Sequence, residues 1–287
     1  MTEQPIHLAL PKGRMMTGVV TLLADAGIQV STDRRGYRPV LSVPGFETKL
    51  LKPQNILEML SRGSRDLGFA GADWVSELEL DLVELLDTKL DPVHIVAAAP
   101  ATLLEDGELP KRPLVVATEY MGLAKRWVEE RGLDARLVRT YGATEVFPPE
   151  DADVILDNSA TGQTLVANGL VIIDEVLSSS TRLYTHAKVL EDASKRERIE
   201  RFVLLIQSVF EARDRVMIDV NVSADSLDQV IKVLPCMREP TIANLYGQSG
   251  FAIKAAVPRS ALPELLPLLK ASGGMDIAVS ALVQLVQ

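Results

Sequence analysis

Three short segments hold the residue types that could do chemistry. The most informative is Thr144–Gly169, TEVFPPEDADVILDNSATGQTLVANG. Within it a strand-like run, Asp153–Asp157, ends in a carboxylate. Asn158-Ser159-Ala160-Thr161-Gly162-Gln163-Thr164 then turns toward a helical pattern beginning near Thr164. A loop of this kind gathers backbone N–H groups and hydroxyls around one point at a helix N-terminus, an arrangement that binds phosphate oxygens without net positive charge. Gly162 lets the backbone come close, and Asp157 could accept hydrogen bonds from sugar hydroxyls. The same residues also read as a plain hydroxyl-rich cap and turn. The second segment, Lys12-Gly13-Arg14, stands where a strand pattern meets a helix. Two cations beside exposed helix N–H groups suit a diphosphate or a leaving group; otherwise they are two exposed basic residues. The third, Asp66–Trp74 (DLGFAGADW), offers Gly68 and Gly71 for tight packing or ligand approach, and Asp73, whose simplest role is to cap the next helix.

Composition narrows what these segments can serve. The chain has 287 residues, a formal charge of −9 and 47% hydrophobic residues, enough for two domains and a small third module. Disorder is excluded, as is a nucleic-acid binder relying on overall positive charge. The acidity lies before residue 216, where 25 Lys and Arg face 33 Asp and Glu, against 5 and 6 afterwards. No apolar run approaches the ~18 residues that span a bilayer. Met1–His7 lacks the basic start and apolar core of a signal peptide, so a cytoplasmic protein is expected. The single cysteine, Cys236, excludes an internal disulfide or a multi-thiolate metal site. His7, His94 and His186 fall in separate segments without metal-ligand spacing and read as packed or surface histidines, so no metal site built from protein residues is expected. There is no serine-nucleophile elbow, Walker A loop or dinucleotide fingerprint.

The elements that must position these residues follow from hydrophobic period. A strand at Ile6–Leu10 precedes a helix with Val19, Val20, Leu22, Leu23 and Ala26 on one face and Gly27 as its stop. Strand-like segments at Val40–Val43, Lys49–Leu51, Asp66–Ala70 and Val93–Ala98 alternate with helices at Pro53–Arg62 and Trp74–Leu80, which predicts α/β layering. The pattern restarts near residue 95. A connection from Pro100 to Pro113 leads to strands at Leu114–Ala117, Arg136–Val138 and Asp153–Asp157, with a helix at Met121–Arg131. An amphipathic helix from Lys195 to Arg213 starts with a charged face, Lys195–Arg198, read as solvated. Residues 216–287 follow the order βαββαβ of a ferredoxin-like module, with a kink or break predicted at Pro267.

Taken in order, LALPKGRM at 8–15, DLGFAGADWVSE at 66–77, VATEYMGLAKRWVEERG at 116–132 and the segment at 144–170 resemble the ATP phosphoribosyltransferases. MREPTIANLY at 237–246 resembles the regulatory domain of their long form. The usual glycine of that family is replaced here by Glu150-Asp151, and its apolar pair after the strand-end acid by Asn158-Ser159. The resemblance implies a bilobal catalytic part, like periplasmic binding proteins. Lobe I would span residues 1–95, completed by 175–212, and lobe II residues 96–174. A ferredoxin-like, ACT-like regulatory domain would occupy 213–287. It implies the first reaction of histidine biosynthesis, in which N1 of the ATP adenine displaces pyrophosphate from phosphoribosyl pyrophosphate, with Mg²⁺ carried mainly on the substrate's phosphates. By the same resemblance Ser159, Ala160, Thr161, Gly162 and Thr164 would hold the 5′-phosphate, and Asp157 and Glu145 the ribose hydroxyls. Lys12 and Arg14 would face the pyrophosphate, and Gly71 and Asp73 would line the cleft on the ATP side. Histidine is implied as an inhibitor at Asn221, Met237 and Thr241, with assembly into dimers and hexamers. The competing reading is a non-catalytic nucleotide or amino-acid sensor on the same bilobal fold.

Overall fold

The computed structural model describes residues 4–31 and 36–286; the first three residues of the N-terminal segment read above lie outside it. Two compact units make up the chain. One takes the described residues up to Thr21 and from Gln29 to Glu197; the other takes Leu22–Ile28 and the chain from Arg198.

The first unit begins with β1 (Ile6–Pro11), which leads into α1 (Arg14–Asp25), whose last residues belong to the second unit. A two-stranded ribbon, β2 (Val30–Ser31) and β3 (Val40–Leu41), precedes β4 (Phe46–Leu51). Then come α2 (Pro53–Ser61), β5 (Leu67–Gly71) and α3 (Ala72–Glu77). Proline suits the first position of α2 because its missing N–H has no partner there anyway. An 18-residue strand, β6 (Val83–Pro100), crosses to the second half of the sheet, where β7 (Leu114–Thr118), α4 (Met121–Glu130), β8 (Ala135–Arg139), β9 (Val154–Ser159) and the short α5 (Gln163–Ala167) follow. A second long strand, β10 (Leu170–Thr185), returns.

These strands form one eight-stranded mixed sheet in the order β4-β1-β5-β10-β6-β9-β7-β8. The sheet has two halves joined through β6 and β10, and residues 95/96 and 174/175 lie inside those strands. β10 was not expected, nor was the first part of β6. Their polar stretches, such as Asp87–Asp91 and Ser178–Thr181, interrupt any strand period, because the pairing register shifts several times as the strands change halves. Each half has its own core. Ile56, Leu57 and Leu60 of α2 pack on Ala9, Ala70 and Tyr184. Leu123, Ala124 and Trp127 of α4 pack on Val116, Leu156 and Ala97. On the other face, Leu165 of α5 covers Val96, Ala98 and Ile155.

Helix α6 (Ala193–Arg213) buries Ile199, Phe202, Ile206 and Val209, as its period requires. Its first turn corrects the solvated reading at one residue. The Lys195 ammonium lies 2.8 Å from the Asp66 carboxylate, and both side chains are largely buried. Asp66 also accepts the His7 N–H at 2.7 Å.

In the second unit, β11 (Arg215–Val222), α7 (Leu227–Val233), β12 (Thr241–Asn244), β13 (Phe251–Pro258), α8 (Leu262–Ala271) and β14 (Met275–Ala281) realise the βαββαβ order as an antiparallel sheet, β12-β13-β11-β14. Val216, Ile218, Val220 and Val222 alternate inward against Val230, Leu265 and Leu269 of the two helices. Of the kink or break predicted at Pro267, the break is absent: α8 runs through it. Proline removes one interior hydrogen bond, and the burial of Leu265 and Leu269 on either side offsets that loss.

Candidate active site

The C-terminal ends of β1, β5, β7 and β9 bring the three chemical segments toward one region of the first unit. Arg14, Gly71, Asp73, Trp74, Tyr120 and Asn158 line a cleft of about 130 Å³, closed below by Asp91, Val93 and Ser179–Thr181 of the crossing strands. Asp73 lies inside the first turn of α3, so it is not that helix's cap; Gly71 holds the N-cap position without a side-chain bond. The carboxylate instead turns back into the cleft. It accepts the Ser179 hydroxyl at 2.7 Å and the Tyr120 hydroxyl at 2.8 Å, while the Asp73 N–H donates to Ser179 Oγ. A side chain at Gly71 would collide with this carboxylate, since a Cβ there would lie 2.2 Å from Asp73 Oδ1. Asn158 donates to the Tyr120 oxygen at 3.3 Å. Asp73–Tyr120–Asn158 thus forms a chain of polar contacts from one half of the sheet to the other. Burial and the Asp73 charge push the Tyr120 phenol well above its ordinary value, so it stays a proton donor.

The helices flanking this chain are tied as well. Both oxygens of the Glu77 carboxylate, on α3, accept the first free N–H groups of α4, from Gly122 at 3.0 Å and Leu123 at 2.9 Å. Arg126 of α4 returns a bond to the Ser76 carbonyl at 2.7 Å. A carboxylate at a helix N-terminus satisfies two orphan donors and complements the dipole.

On the other face of the β9 end, the loop takes the conformation its sequence suggests. Gly162 is left-handed at φ 72° and caps α5, which starts at Gln163, one residue earlier than expected. Ser159 Oγ accepts the Gly162 N–H at 3.0 Å, and Ala160, Thr161 and Thr164 are exposed around it. Asp157 accepts the Asn158 N–H at 2.7 Å. Burial pushes the Asp157 carboxyl above the usual aspartate value; the Thr144 hydroxyl and Asn158 pull it down, and the nearby Glu145 charge pushes it up again. A further carboxylate was missed. Glu119 follows β7 at the level where Asp157 stands in the parallel neighbour β9, since Thr118 pairs with Leu156. It too is pushed up by burial and by Asp157, against the Gly142 N–H, Arg139 and Lys52. Its signal was an acid directly after an apolar strand, the same signature that marked Asp157.

Lys12 and Arg14 part company. Arg14 lines the cleft with its Nε 4.0 Å from Asp91, whereas Lys12 sits half-buried with its ammonium 3.8 Å over the Tyr37 ring. In the second unit, Asn221 of β11 and Thr241 of β12 point to the sheet face opposite the helices, and Asn221 donates to Asp276 at 3.1 Å. The Met237 N–H bonds the Ala256 carbonyl of β13. Burial pushes the Cys236 thiol up, as befits a packed cysteine.

Comparison with known proteins places this geometry. The family profile described as HisG, ATP phosphoribosyltransferase, matches residues 52–208, and that of the HisG C-terminal domain matches 212–284. The chain belongs to the ATP phosphoribosyltransferase family. These transferases are pentosyltransferases of the first step in histidine biosynthesis, and this chain has their long form with a C-terminal domain. An ATP phosphoribosyltransferase of Chlorobium phaeobacteroides is 31% identical over 280 residues, covering 96% of this chain and 95% of the relative. One from Pelotomaculum thermopropionicum is 32% identical over 279 residues, covering 95% and 96%. Among solved structures, a chain of an ATP phosphoribosyl transferase (HisG:HisZ) complex from Thermotoga maritima matches with TM-score 0.64 and 26% identity, over 72% of this chain and 98% of its own.

Proposed function

We propose that the transferase binds phosphoribosyl pyrophosphate with its 5′-phosphate on the N–H groups and hydroxyls of Ser159–Thr164 and its ribose hydroxyls on Asp157 and Glu145. The diphosphate points toward Arg14 and Lys12, and ATP lies on the Gly71–Asp73 side of the cleft. The observation that carries this reading is the β9 end: a half-buried carboxylate, then a left-handed glycine at the N-cap of α5, whose first N–H groups have no intrahelical partner. N1 of adenine already carries a lone pair, so no activated serine or cysteine is needed. As N1 bonds to the anomeric carbon, the carbon–oxygen bond to the diphosphate breaks and its electron pair leaves with the diphosphate. The Asp157 and Glu145 carboxylates, near the ribose, favour the positive charge that grows there. Arg14 opposes the negative charge on the leaving group, and the rest is positioning.

Among the described residues, no group of three or more His, Cys, Asp or Glu is arranged to hold a metal. A divalent ion would then be bound mainly through the substrate's phosphates, with one or two protein carboxylates at most. Magnesium bound this way would neutralise charge on the diphosphate. The cleft is smaller than the roughly 300–1,000 Å³ of most small-molecule sites. Admission of both substrates therefore requires the halves of the sheet to part about β6 and β10, where the register shifts.

Inhibition by histidine at Asn221, Met237 and Thr241 belongs to the same reading, supported by the shared open face of Asn221 and Thr241. Thr241→Arg should abolish inhibition while leaving uninhibited turnover within about twofold; equal inhibition of variant and wild type would exclude this location. Dimers and hexamers, and work in the cytoplasm, complete the proposal. Among the described residues no helix is long and apolar enough to cross a membrane. The functional test mixes the full chain with ATP, phosphoribosyl pyrophosphate, Mg²⁺ and pyrophosphatase and follows adduct absorbance. Adduct formation that needs both substrates is expected; none would overturn the assignment.

A further inference from the structure

We propose that His94 is a second holder of the 5′-phosphate, supplying through Nε2 the positive charge that the loop at 159–164 lacks. The inference rests on the assignment of that loop to the phosphate.

Position comes first. His94 of β6 is in register with Ser159 of β9 on one side and Ser178 of β10 on the other. Directly opposed residues of antiparallel strands have Cβ atoms about 4.5–5.5 Å apart on one face of the sheet. That face is the one on which α5 lies, because Val96 and Ala98, two and four residues along β6, pack against Leu165. The imidazole is thus a lateral neighbour of the residue whose hydroxyl shapes the loop.

Orientation comes second. Nδ1 of His94 lies 2.8 Å from Glu175 Oε1 and 3.0 Å from Ser178 Oγ, and Ser178 donates to the same carboxylate oxygen at 2.8 Å. Serine and glutamate meet the same ring nitrogen, so this is not a nucleophile relay, which needs them on opposite nitrogens. The cluster instead fixes the ring with Nδ1–H on Glu175. Among the described residues Nε2 has no hydrogen-bond partner.

Charge comes third. Residues 158–167, the loop and α5 together, contain no lysine or arginine. Asp157, two residues before Ser159 and on the same face, is acidic, and Glu145 and Glu119 stand near it. A phosphate monoester brings roughly −1.5 to −2 charges at neutral pH. Of the elements around His94, β10 contributes Glu175, β9 contributes Asp157 and α5 contributes no titratable group. A protonated imidazole would offset the phosphate while Glu175 balances it when the site is empty. Imidazole is also the side chain whose ordinary titration lies between about pH 5 and 8.

The test measures KM for phosphoribosyl pyrophosphate on the full chain from about pH 5.5 to 8.5, comparing wild type with His94→Asn, His94→Lys and Thr161→Ala. The ratio of variant to wild-type KM removes the titration of the phosphate itself. His94→Asn should raise KM about tenfold at the acid end, with the ratio falling toward one at the alkaline end and kcat nearly unchanged. His94→Lys should keep a low KM throughout. A His94→Asn ratio near one at every pH would overturn the proposal, as would a loss that lysine does not restore. Thr161→Ala separates the two levels. A raised KM there with a silent His94 sinks only the histidine, whereas no effect at Thr161 sinks the phosphate assignment beneath it.

Discussion

Asp157→Asn is expected to lower kcat/KM for phosphoribosyl pyrophosphate by about 100-fold while leaving the fold intact. A hydrogen bond to a charged acceptor contributes about 1.5–3 kcal/mol, and each ~1.4 kcal/mol is tenfold in rate. The amide keeps the shape of the side chain but removes the charge that the ribose hydroxyls and the developing cation use. The pH profile separates this from a structural effect. Burial holds the Asp157 carboxyl above the ordinary aspartate value, with the Glu145 charge adding to the upward push. The ionised form is the working one, so kcat/KM should fall as pH drops, on an acid limb centred above the ordinary value of about 3.9. Asp157→Asn should lack that limb. A variant with the full acid limb, or with wild-type kcat/KM, would remove Asp157 from the site.

Gly122→Val should lower the stability of the fold. A Cβ at Gly122 would stand 2.6 Å from the Glu77 carbonyl oxygen, a backbone atom that cannot swing away. The clash drives α4 off α3 and breaks the two bonds from its N-terminus to the Glu77 carboxylate. Overpacking costs about 1–3 kcal/mol, and the lost charge-assisted bonds add to it. At about 2–4 °C per kcal/mol for a unit of this size, Tm should fall by about 6–10 °C. Calorimetry on the full chain measures it; an unchanged Tm would mean that this junction is not tightly packed. Glu77→Ala should move Tm the same way by less, since it removes the cap without the collision.

The turn after β9 was legible in local signals. The strand-end acid, the glycine that must turn left-handed and the hydroxyls beside it all act over a few residues, so Asp157, Ser159, Gly162 and Thr161 could be read in place. Asp73 could not. Its partners, Tyr120 and Ser179, lie 47 and 106 residues away, and in isolation an acid at the start of a helix reads as a cap. β10 was hidden for a related reason: Ser178–Thr181 belong to a strand only because β6 pairs with them, joined by β5 at Thr181. His94 looked like an isolated histidine because its glutamate and serine come from the same unrecognised strand. In this acidic part of the chain, Arg14 lines the cleft.

The assignment of Ser159–Thr164 to the 5′-phosphate stands or falls on the kinetics of Thr161→Ala. The exposed hydroxyl makes no bond that holds the fold, so the variant should melt with wild type. Its KM for phosphoribosyl pyrophosphate should rise about tenfold, worth about 1.4 kcal/mol, with KM for ATP unchanged. A Thr161→Ala enzyme with wild-type KM for phosphoribosyl pyrophosphate would contradict the placement of the phosphate at the start of α5.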